Sequence, residues 1–343
     1  MDRATLFMLI LFSLALWGAY SIYQPFILPM VVAILLTMAT SNLSNLIAKK
    51  LKSQKLATAI MAILMGVLIL APILYIATNG VSFLGKIDFN SINILFAKLR
   101  ELSKGIPYLE EWSKRNLQVA NIAPYIQQIS LYLTKMGSKG VSFLRDIILV
   151  VLFYAIFVYY QKPFLELLKS LIPVASNKSS QMIKELSSTM EVVFYSIIVT
   201  ALFEGFLFGF FVKFYDFDGL LFGVIYGFAS LIPVVGGTIV WLPLSLILWS
   251  KGDLQGAITL ASYSIIMISL IADTFIKPVI IKVIKEELLH NSTNVNELVI
   301  FFSIVAGMGS YGFWGMILGP AITTFLIAST KIYLEYSREV LSK

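Results

Sequence analysis

The segment Gly219–Ser250, GLLFGVIYGFASLIPVVGGTIVWLPLSLILWS, contains no charged residue. A membrane helix needs about 20 mostly apolar residues to cross a hydrocarbon core of about 30 Å. This segment is longer than one ordinary span, and it is interrupted by Ile232-Pro233-Val-Val-Gly236-Gly237 and again by Pro243. Backbone that breaks at membrane depth must be buried in protein or line a wet cavity. We therefore expect the segment to turn within the bilayer and return, as a re-entrant or hairpin segment.

A second interrupted segment follows at Glu297–Thr330, with breaks at Gly307–Gly315 and at Gly319-Pro320. Paired interrupted segments are the best sequence pointer to a transporter binding site. We therefore predict a substrate or ion path at the breaks, formed by Pro233, Gly236, Gly237, Gly307, Gly309, Gly312, Gly315, Gly319 and Pro320. The alternative is structural, since glycine and proline also permit close helix packing or a kink.

Composition extends the membrane interpretation to the whole chain of 343 residues. Hydrophobic residues make up 58% and charged residues 13%, against about 45–50% and about 25% in soluble domains. The mean hydropathy is +0.87. We predict an all-α polytopic membrane protein with about six full spans, plus the two re-entrant or hairpin segments.

Charge and cysteine usage exclude several kinds of partner. The net charge of +7 is attributed to basic loops on the cytoplasmic side rather than to nucleic-acid binding. The absence of cysteine and the single histidine exclude thiolate metal sites, disulfides and an imidazole cluster. We expect no cofactor, no metal and no nucleic acid.

Hydropathy divides the chain into four regions. Residues 1–78 are predicted as N-terminal membrane helices, 79–146 as an extracytoplasmic amphipathic helical region, 147–330 as a C-terminal membrane domain with broken segments at 219–250 and 297–330, and 331–343 as a cytoplasmic tail. Within the first region, Gln24-Pro25 predicts a turn between one span at Ala4–Tyr23 and another from Phe26. Ser188-Thr-Met-Glu191 has capping-box spacing just before a span at 192–211.

Basic residues predict the orientation. The short loop at 42–56 carries Lys49, Lys50, Lys52 and Lys55, which predicts that the loop and both chain termini lie in the cytoplasm. A single crossing by Gly219–Ser250 would place the basic loop near Lys277–Lys285 outside. Two hairpins that enter from opposite sides keep that loop and the C-terminus inside.

Two acidic residues lie within predicted spans. Glu204 occupies the middle of one span and Asp273 lies near the end of another. A charge at the bilayer centre costs about 2.5–3.5 kcal/mol on insertion scales, so such residues are candidates for binding a proton or cation. The alternatives are a packing role for Glu204 and a headgroup position for Asp273. No phosphate-binding loop or nucleophile elbow is present, so we predict no catalytic residue and no enzyme.

The C-terminal half resembles the autoinducer-2 exporter family of bacterial membrane proteins (AI-2E, PerM-like permeases). The resemblance is carried by Gly219–Gly223 through Leu231-Ile-Pro233-Val-Val-Gly236-Gly237, by Asp273-Thr-Phe-Ile-Lys277-Pro278, and by Glu297 through Gly312-Phe-Trp-Gly315-Met-Ile-Leu-Gly319-Pro320. The family pattern has a glycine shortly after the Lys-Pro pair, which this chain lacks. The resemblance implies seven or eight helices, an oligomer and export of small molecules, with some members linked to autoinducer-2 and others to sodium or lithium exchange for protons.

The sequence thus favours a secondary transporter or exporter of a small solute across the bacterial inner membrane, with or without ion coupling. One alternative is a Na⁺(Li⁺)/H⁺ antiporter, and the other is an oligomeric channel or membrane scaffold. The expected partners are the lipid bilayer, a small-molecule or ion substrate and further copies of the chain.

Overall fold

The computed structural model describes residues 2–84, 89–116, 139–171, 176–232, 235–276 and 297–341, together with 118, 124, 279 and 282. All regular secondary structure in these residues is helical, which confirms the predicted fold class. The N-terminal helices are α1 (Arg3–Ala39), α2 (Ser41–Leu51), α3 (Gln54–Leu84), α4 (Phe89–Leu102), α5 (Pro107–Asn116), α6 (Lys139–Tyr159) and α7 (Gln161–Leu171). The C-terminal helices are α8 (Ser176–Val212), α9 (Gly219–Ala229), α10 (Gly236–Ser250), α11 (Leu254–Tyr263), a π-helical segment (Ser264–Ile276), α12 (Glu297–Tyr311) and α13 (Gly315–Leu341).

Five helical stretches of the described chain are long and apolar enough to cross a membrane. They are Arg3–Ala39, Gln54–Gly80, Lys178–Tyr215, Leu254–Ala272 and Leu298–Leu334. A sixth is added when α6 and α7, which meet at 87°, are taken as one bent span. Five to six candidate spans agree with a polytopic membrane protein, and the count includes Leu298–Leu334, which is the second interrupted segment.

The predicted turn at Gln24-Pro25 is wrong, because α1 continues through Pro25 and Pro29 as one helix of 37 residues. Each proline removes a single backbone hydrogen bond, and membrane helices tolerate that loss. At about 1.5 Å per residue the helix is about 55 Å long, well beyond the bilayer core. A helix that crosses once places the N-terminus at the end opposite to α2, whereas two spans would return it to the side of α2.

The interruption predicted within Gly219–Ser250 is confirmed, since α9 ends at Ala229 and α10 begins at Gly236. Asp218 caps α9 by accepting a hydrogen bond from the Leu221 amide at 3.0 Å. Helix α9 then runs back along α8, where a Cβ on Gly205 would lie 2.6 Å from the carbonyl oxygen of Gly223. Helix α10 returns from the turn, and Lys98 of α4 donates to its Trp249 carbonyl at 2.7 Å. This first hairpin therefore opens toward the end of the bundle that carries α4.

The second interruption is also confirmed, as α12 and α13 fold back on each other through a 3-10 turn at Gly312–Trp314. A Cβ on Gly307 would meet the Gly315 carbonyl oxygen, and one on Gly319 would meet the Ser303 carbonyl oxygen. Gly312 has a φ of 57°, a conformation that glycine adopts without the steric cost of a side chain.

The turn of this second hairpin points toward the α4 end of the bundle. Gln54 at the start of α3 donates to the Val158 carbonyl at 3.0 Å, so the C-terminal end of α6 lies at the α2 end. Phe143, near the opposite end of α6, contacts Phe313 with ring centroids 6.0 Å apart. The two hairpins therefore enter the bundle from opposite ends, as the charge pattern predicts.

Helix α8 joins the two hydrophobic cores of the described chain. The first core is built from the second half of α1, from α3 and α6, and from Met190 of α8 and Trp314 of the second hairpin. The second core is built from α9, α10, α11 and the π-helical segment around Phe208 and Val212 of α8. The buried side chains of α8 between these two positions, among them Thr200 and Glu204, therefore lie between the two cores along the helix.

Replacing Gly307 with alanine should destabilise the protein by about 1–3 kcal/mol, because the new methyl group has no room against α13. The matched control is Gly309→Ala on the same helix, where nothing lies within 4 Å of a built Cβ. An alanine there should stabilise by about 0.5–1 kcal/mol, since alanine favours helix more than glycine does. Temperature-ramped gel filtration of detergent-solubilised protein measures both. Equal midpoints for the two variants would contradict the packing of the second hairpin.

Candidate functional site

The turns of both hairpins line one cavity of about 160 Å³. The first hairpin contributes Phe228, in the last turn of α9, and Leu231, in the connection that follows. The second contributes Phe313, Trp314, Met316 and Ile317. The cavity therefore lies where the two interrupted segments meet.

The rest of the wall comes from three long helices. Its residues are Leu35, Leu36 and Ala39 of α1, Leu68, Ile69 and Pro72 of α3, and Met190, Val193, Phe194, Ile197, Ile198, Ala201 and Leu202 of α8. The α8 residues recur every three or four positions, which places them on one face of a helix. They extend along about 18 Å of the helix axis.

Every described residue of the wall is apolar. The indole N–H of Trp314 is the single side-chain hydrogen-bonding group among them, because the other members carry only hydrocarbon or a thioether. Such a wall holds its occupant by shape and by dispersion contacts.

The predicted glycines and prolines surround the cavity without lining it. Gly236 packs against the Ala229 backbone and Gly237 against the Tyr226 hydroxyl group, so both serve the first turn. Gly307, Gly315 and Gly319 lie at the contact of α12 with α13, and Pro320 is buried within α13. Gly312 forms the second turn, Gly309 faces open space, and Pro233 lies outside the described residues. Their part in a substrate path stays a prediction.

The two predicted acids occupy other positions. Glu204 is 3% exposed on α8, and it is not among the wall residues. Ser196 and Thr200 precede it at intervals of one turn, so the three share a face. Asp273 belongs to the π-helical segment, and its side chain lies outside the described part of the structure. The structure therefore brings together the hairpin turns, but it does not bring Glu204 into the cavity between them.

A model of the AI-2E family of transporters matches residues 6–335 of the chain. The chain belongs to the AI-2E transporter family. A Helicobacter pylori protein whose name proposes transport is 29% identical over 341 residues, covering 97% of each chain. An Aquifex aeolicus protein with the same name is 24% identical over 318 residues, covering 85% of each. A Treponema pallidum relative is 27% identical over 166 residues, covering 47% of this chain and 38% of its own.

Sequence reasoning missed one polar contact of this AI-2E chain. Glu191 is 3% exposed, and its two carboxylate oxygens accept hydrogen bonds from the Asn42 amide at 3.0 Å and 2.9 Å. The predicted capping box is wrong, because α8 begins at Ser176 and Glu191 lies several turns inside it. The signal was available, since an acid inside a long apolar helix is the criterion that singled out Glu204.

The Glu191–Asn42 contact belongs to a polar region at the α2 end of the bundle. Thr40 and the fully buried Tyr154 share a hydrogen bond of 2.8 Å between their hydroxyl groups. A smaller cavity of about 70 Å³ lies close by, and Thr37, Ser41, Gln161 and Ser187 are part of its wall. Asn42 thereby links the α1–α2 corner to α8, and the residues around this contact are polar rather than apolar.

Substituting Asn42 with alanine should lower stability by about 1–3 kcal/mol, because the buried carboxylate loses both hydrogen bonds. Asn45→Ala is the matched control, since Asn45 is exposed on the same helix, as Asn42 is, but does not hydrogen-bond Glu191. Thermal midpoints of the two purified variants in one detergent provide the comparison. Equal thermal midpoints for the Asn42 and Asn45 variants would show that the contact does not stabilise the protein.

Proposed function

We propose that the chain is a secondary transporter that moves a small solute through the cavity between the two hairpin turns. The observation that supports this is that hairpins from opposite ends of the bundle both line that cavity. Broken helices near the bilayer midplane are where transporters bind their substrates. Family membership supports transport in general, and the direction of export and the identity of the solute belong to the proposal.

The hairpins supply a mechanism for alternating access. Each hairpin turn can separate the cavity from one end of the bundle, because one hairpin opens toward the α4 end and the other toward the α2 end. Movement of one hairpin at a time would open the cavity to one side while the other side stays closed. In a channel, the cavity must be open to both sides at the same time. In a scaffold, neither hairpin needs to move.

We place this transporter in the bacterial inner membrane. The basic α2 loop and the C-terminal tail would lie in the cytoplasm, and residues 79–146 outside it, as the distribution of lysine favours. The proposal includes a homo-oligomer. Its support is the family resemblance, which implies an oligomer.

The test of alternating access uses the lack of cysteine in the chain. Ile317→Cys lines the cavity, and the matched control Leu318→Cys lies in the first core at 4% exposure. A membrane-impermeant thiol reagent is applied to inside-out and to right-side-out vesicles. For a transporter, Ile317→Cys should react in both preparations, because each conformation exposes the cavity to one side, and Leu318→Cys in neither.

Reaction of Ile317→Cys from one side alone, or from neither, would contradict alternating access. A scaffold predicts the second of these results. The gel-filtration profile of each variant shows whether the substitution has left the protein folded.

A Na⁺(Li⁺)/H⁺ antiporter is the second candidate, and the buried Glu204 favours it. The hydroxyl oxygens of Thr200 and Ser196 on the same face have no hydrogen-bond partner among the described residues. A carboxylate with neighbouring hydroxyl oxygens offers the hard oxygen ligands that small cations prefer. Asp273 is a further candidate for the same role.

For the antiporter, Glu204→Gln should abolish proton flux driven by sodium or lithium, because a glutamine amide does not gain or lose a charge by ionising at neutral pH. The flux is followed in proteoliposomes with a trapped pH indicator. Glu111→Gln is the control, since Glu111 lies on α5 and its side chain is 70% exposed. Unchanged flux in the Glu204 variant would exclude this residue as the coupling acid.

A further inference from the structure

We propose that the cavity between the hairpin turns binds a small apolar organic molecule, or the apolar ring of an amphipathic one, as the cargo of the transporter. The inference rests on the proposed function, because it assigns a substrate class to the same cavity. This substrate class excludes a hydrophilic solute or a hydrated ion as the occupant of the cavity.

The chemistry of the wall carries the inference. A bound cation needs several oxygen ligands, and a hydroxyl-rich solute needs partners for each of its polar groups. The described wall offers neither, since its only side-chain hydrogen-bonding group is the Trp314 indole N–H. A charged or hydroxyl-rich molecule would lose its hydration there without replacement.

The size of the cavity agrees with an apolar occupant. An engineered cavity of about 150 Å³ lined by leucine, isoleucine and phenylalanine stays dry and binds benzene or xenon. The present cavity has a similar volume of about 160 Å³ and a similar wall. It therefore accepts one aromatic ring or an alkyl group of comparable volume.

The kind of apolar side chain in the wall indicates an adaptable site. Phe194, Phe228, Phe313 and Trp314 provide aromatic faces and edges from three separate elements, and aromatic pairs favour offset or edge-to-face contact. Met190 and Met316 are flexible and polarisable, and they adjust to ligands of different outline. The site should therefore accept a group of related molecules.

The polar side chains on α8 lie on a different face from the cavity wall, so a site for an ion would be separate from the site for the cargo. Val193, Ile197 and Ala201 line the cavity at intervals of one turn. Ser196, Thr200 and Glu204 lie on a neighbouring face of the same helix, because each follows one of these three wall residues by three positions. An ion bound near Glu204 would thus act beside the cargo rather than compete with it for the same space.

The experiment measures quenching of Trp314 by iodobenzene in proteoliposomes. Trp17, Trp112, Trp241 and Trp249 are replaced by phenylalanine, which leaves Trp314 as the sole indole. A matched protein keeps only Trp17, which is 74% exposed on the apolar surface of α1 and reports probe dissolved in the bilayer. Quenching of Trp314 should saturate with added iodobenzene, whereas quenching of Trp17 should rise in proportion to the probe.

Filling the cavity should remove the saturable component. Ala201→Phe and, independently, Val193→Phe place a ring in the space, and Ala15→Phe on the exposed part of α1 is the control. Saturable quenching should be lost in both filled variants and kept in the control. Gel filtration identifies a variant that does not fold. If one filled variant fails to fold, quenching in the other filled variant tests the proposal.

Three results would overturn the proposal. Aqueous iodide that quenches Trp314 more than iodobenzene does would show a wet, polar cavity. Brominated phospholipid that quenches Trp314 as strongly as Trp17 would show that a lipid chain occupies the space. Quenching by iodobenzene that does not saturate, or that survives in both filled variants, would show no binding site.

These outcomes are separable from those of the proposed function. Labelling of Ile317→Cys from both sides without saturable quenching would leave transport standing and remove the apolar cargo. Saturable quenching without labelling from both sides would leave a binding site and remove alternating access.

Discussion

The close approach of glycine backbones is the contact on which the membrane fold depends. Lipid tails are as apolar as leucine side chains, so helices in a bilayer gain little from the hydrophobic effect and associate through tight packing. Gly205 and Gly223 bring α8 and α9 so near that a Cβ on Gly205 would lie 2.6 Å from the opposite carbonyl oxygen. The same device at Gly307 and Gly319 closes the second hairpin. The first hairpin lies close against α8, and the two arms of the second lie close against each other, because these positions carry no side chain.

Helix α8 connects that packing to the site. One face carries Ile197 and Ala201 along the cavity and continues, at intervals of one turn, to Gly205 and Gly209 against α9, and a neighbouring face carries Thr200 and Glu204. In the N-terminal half of α8, Glu191 holds the α1–α2 corner by accepting hydrogen bonds from Asn42. A shift of the first hairpin along α8 would therefore change the cavity wall and the surroundings of Glu204 together. That physical link is what coupled transport requires, since a conformational change must alter both sites.

The sequence predicts much of the fold because lipid imposes strong rules on span length, charge and broken backbone. The interruptions near Gly236 and Gly312 and the opposite entry of the hairpins follow from those rules. The continuity of α1 through Pro25 does not, because proline marks a turn in water and is tolerated in a membrane helix. For the cavity, the sequence predicts that the hairpin turns take part, but not which side chains form the wall. Leucine, isoleucine and phenylalanine have the same pattern whether they face lipid, core or cavity.

The same limitation applies to the glycines, whose part in a substrate path stays a prediction. A glycine in a broken membrane segment signals close approach of backbone, and the approaching group can be a ligand or another helix. At Gly307 and Gly315 it is the facing helix, so these residues shape the hairpin whose turn then supplies Phe313 and Trp314 to the cavity. The glycines therefore act on the site through the turn that they allow. Differences in substrate among relatives of this chain should therefore be sought in the bulky side chains beside the glycines as well as at the glycines.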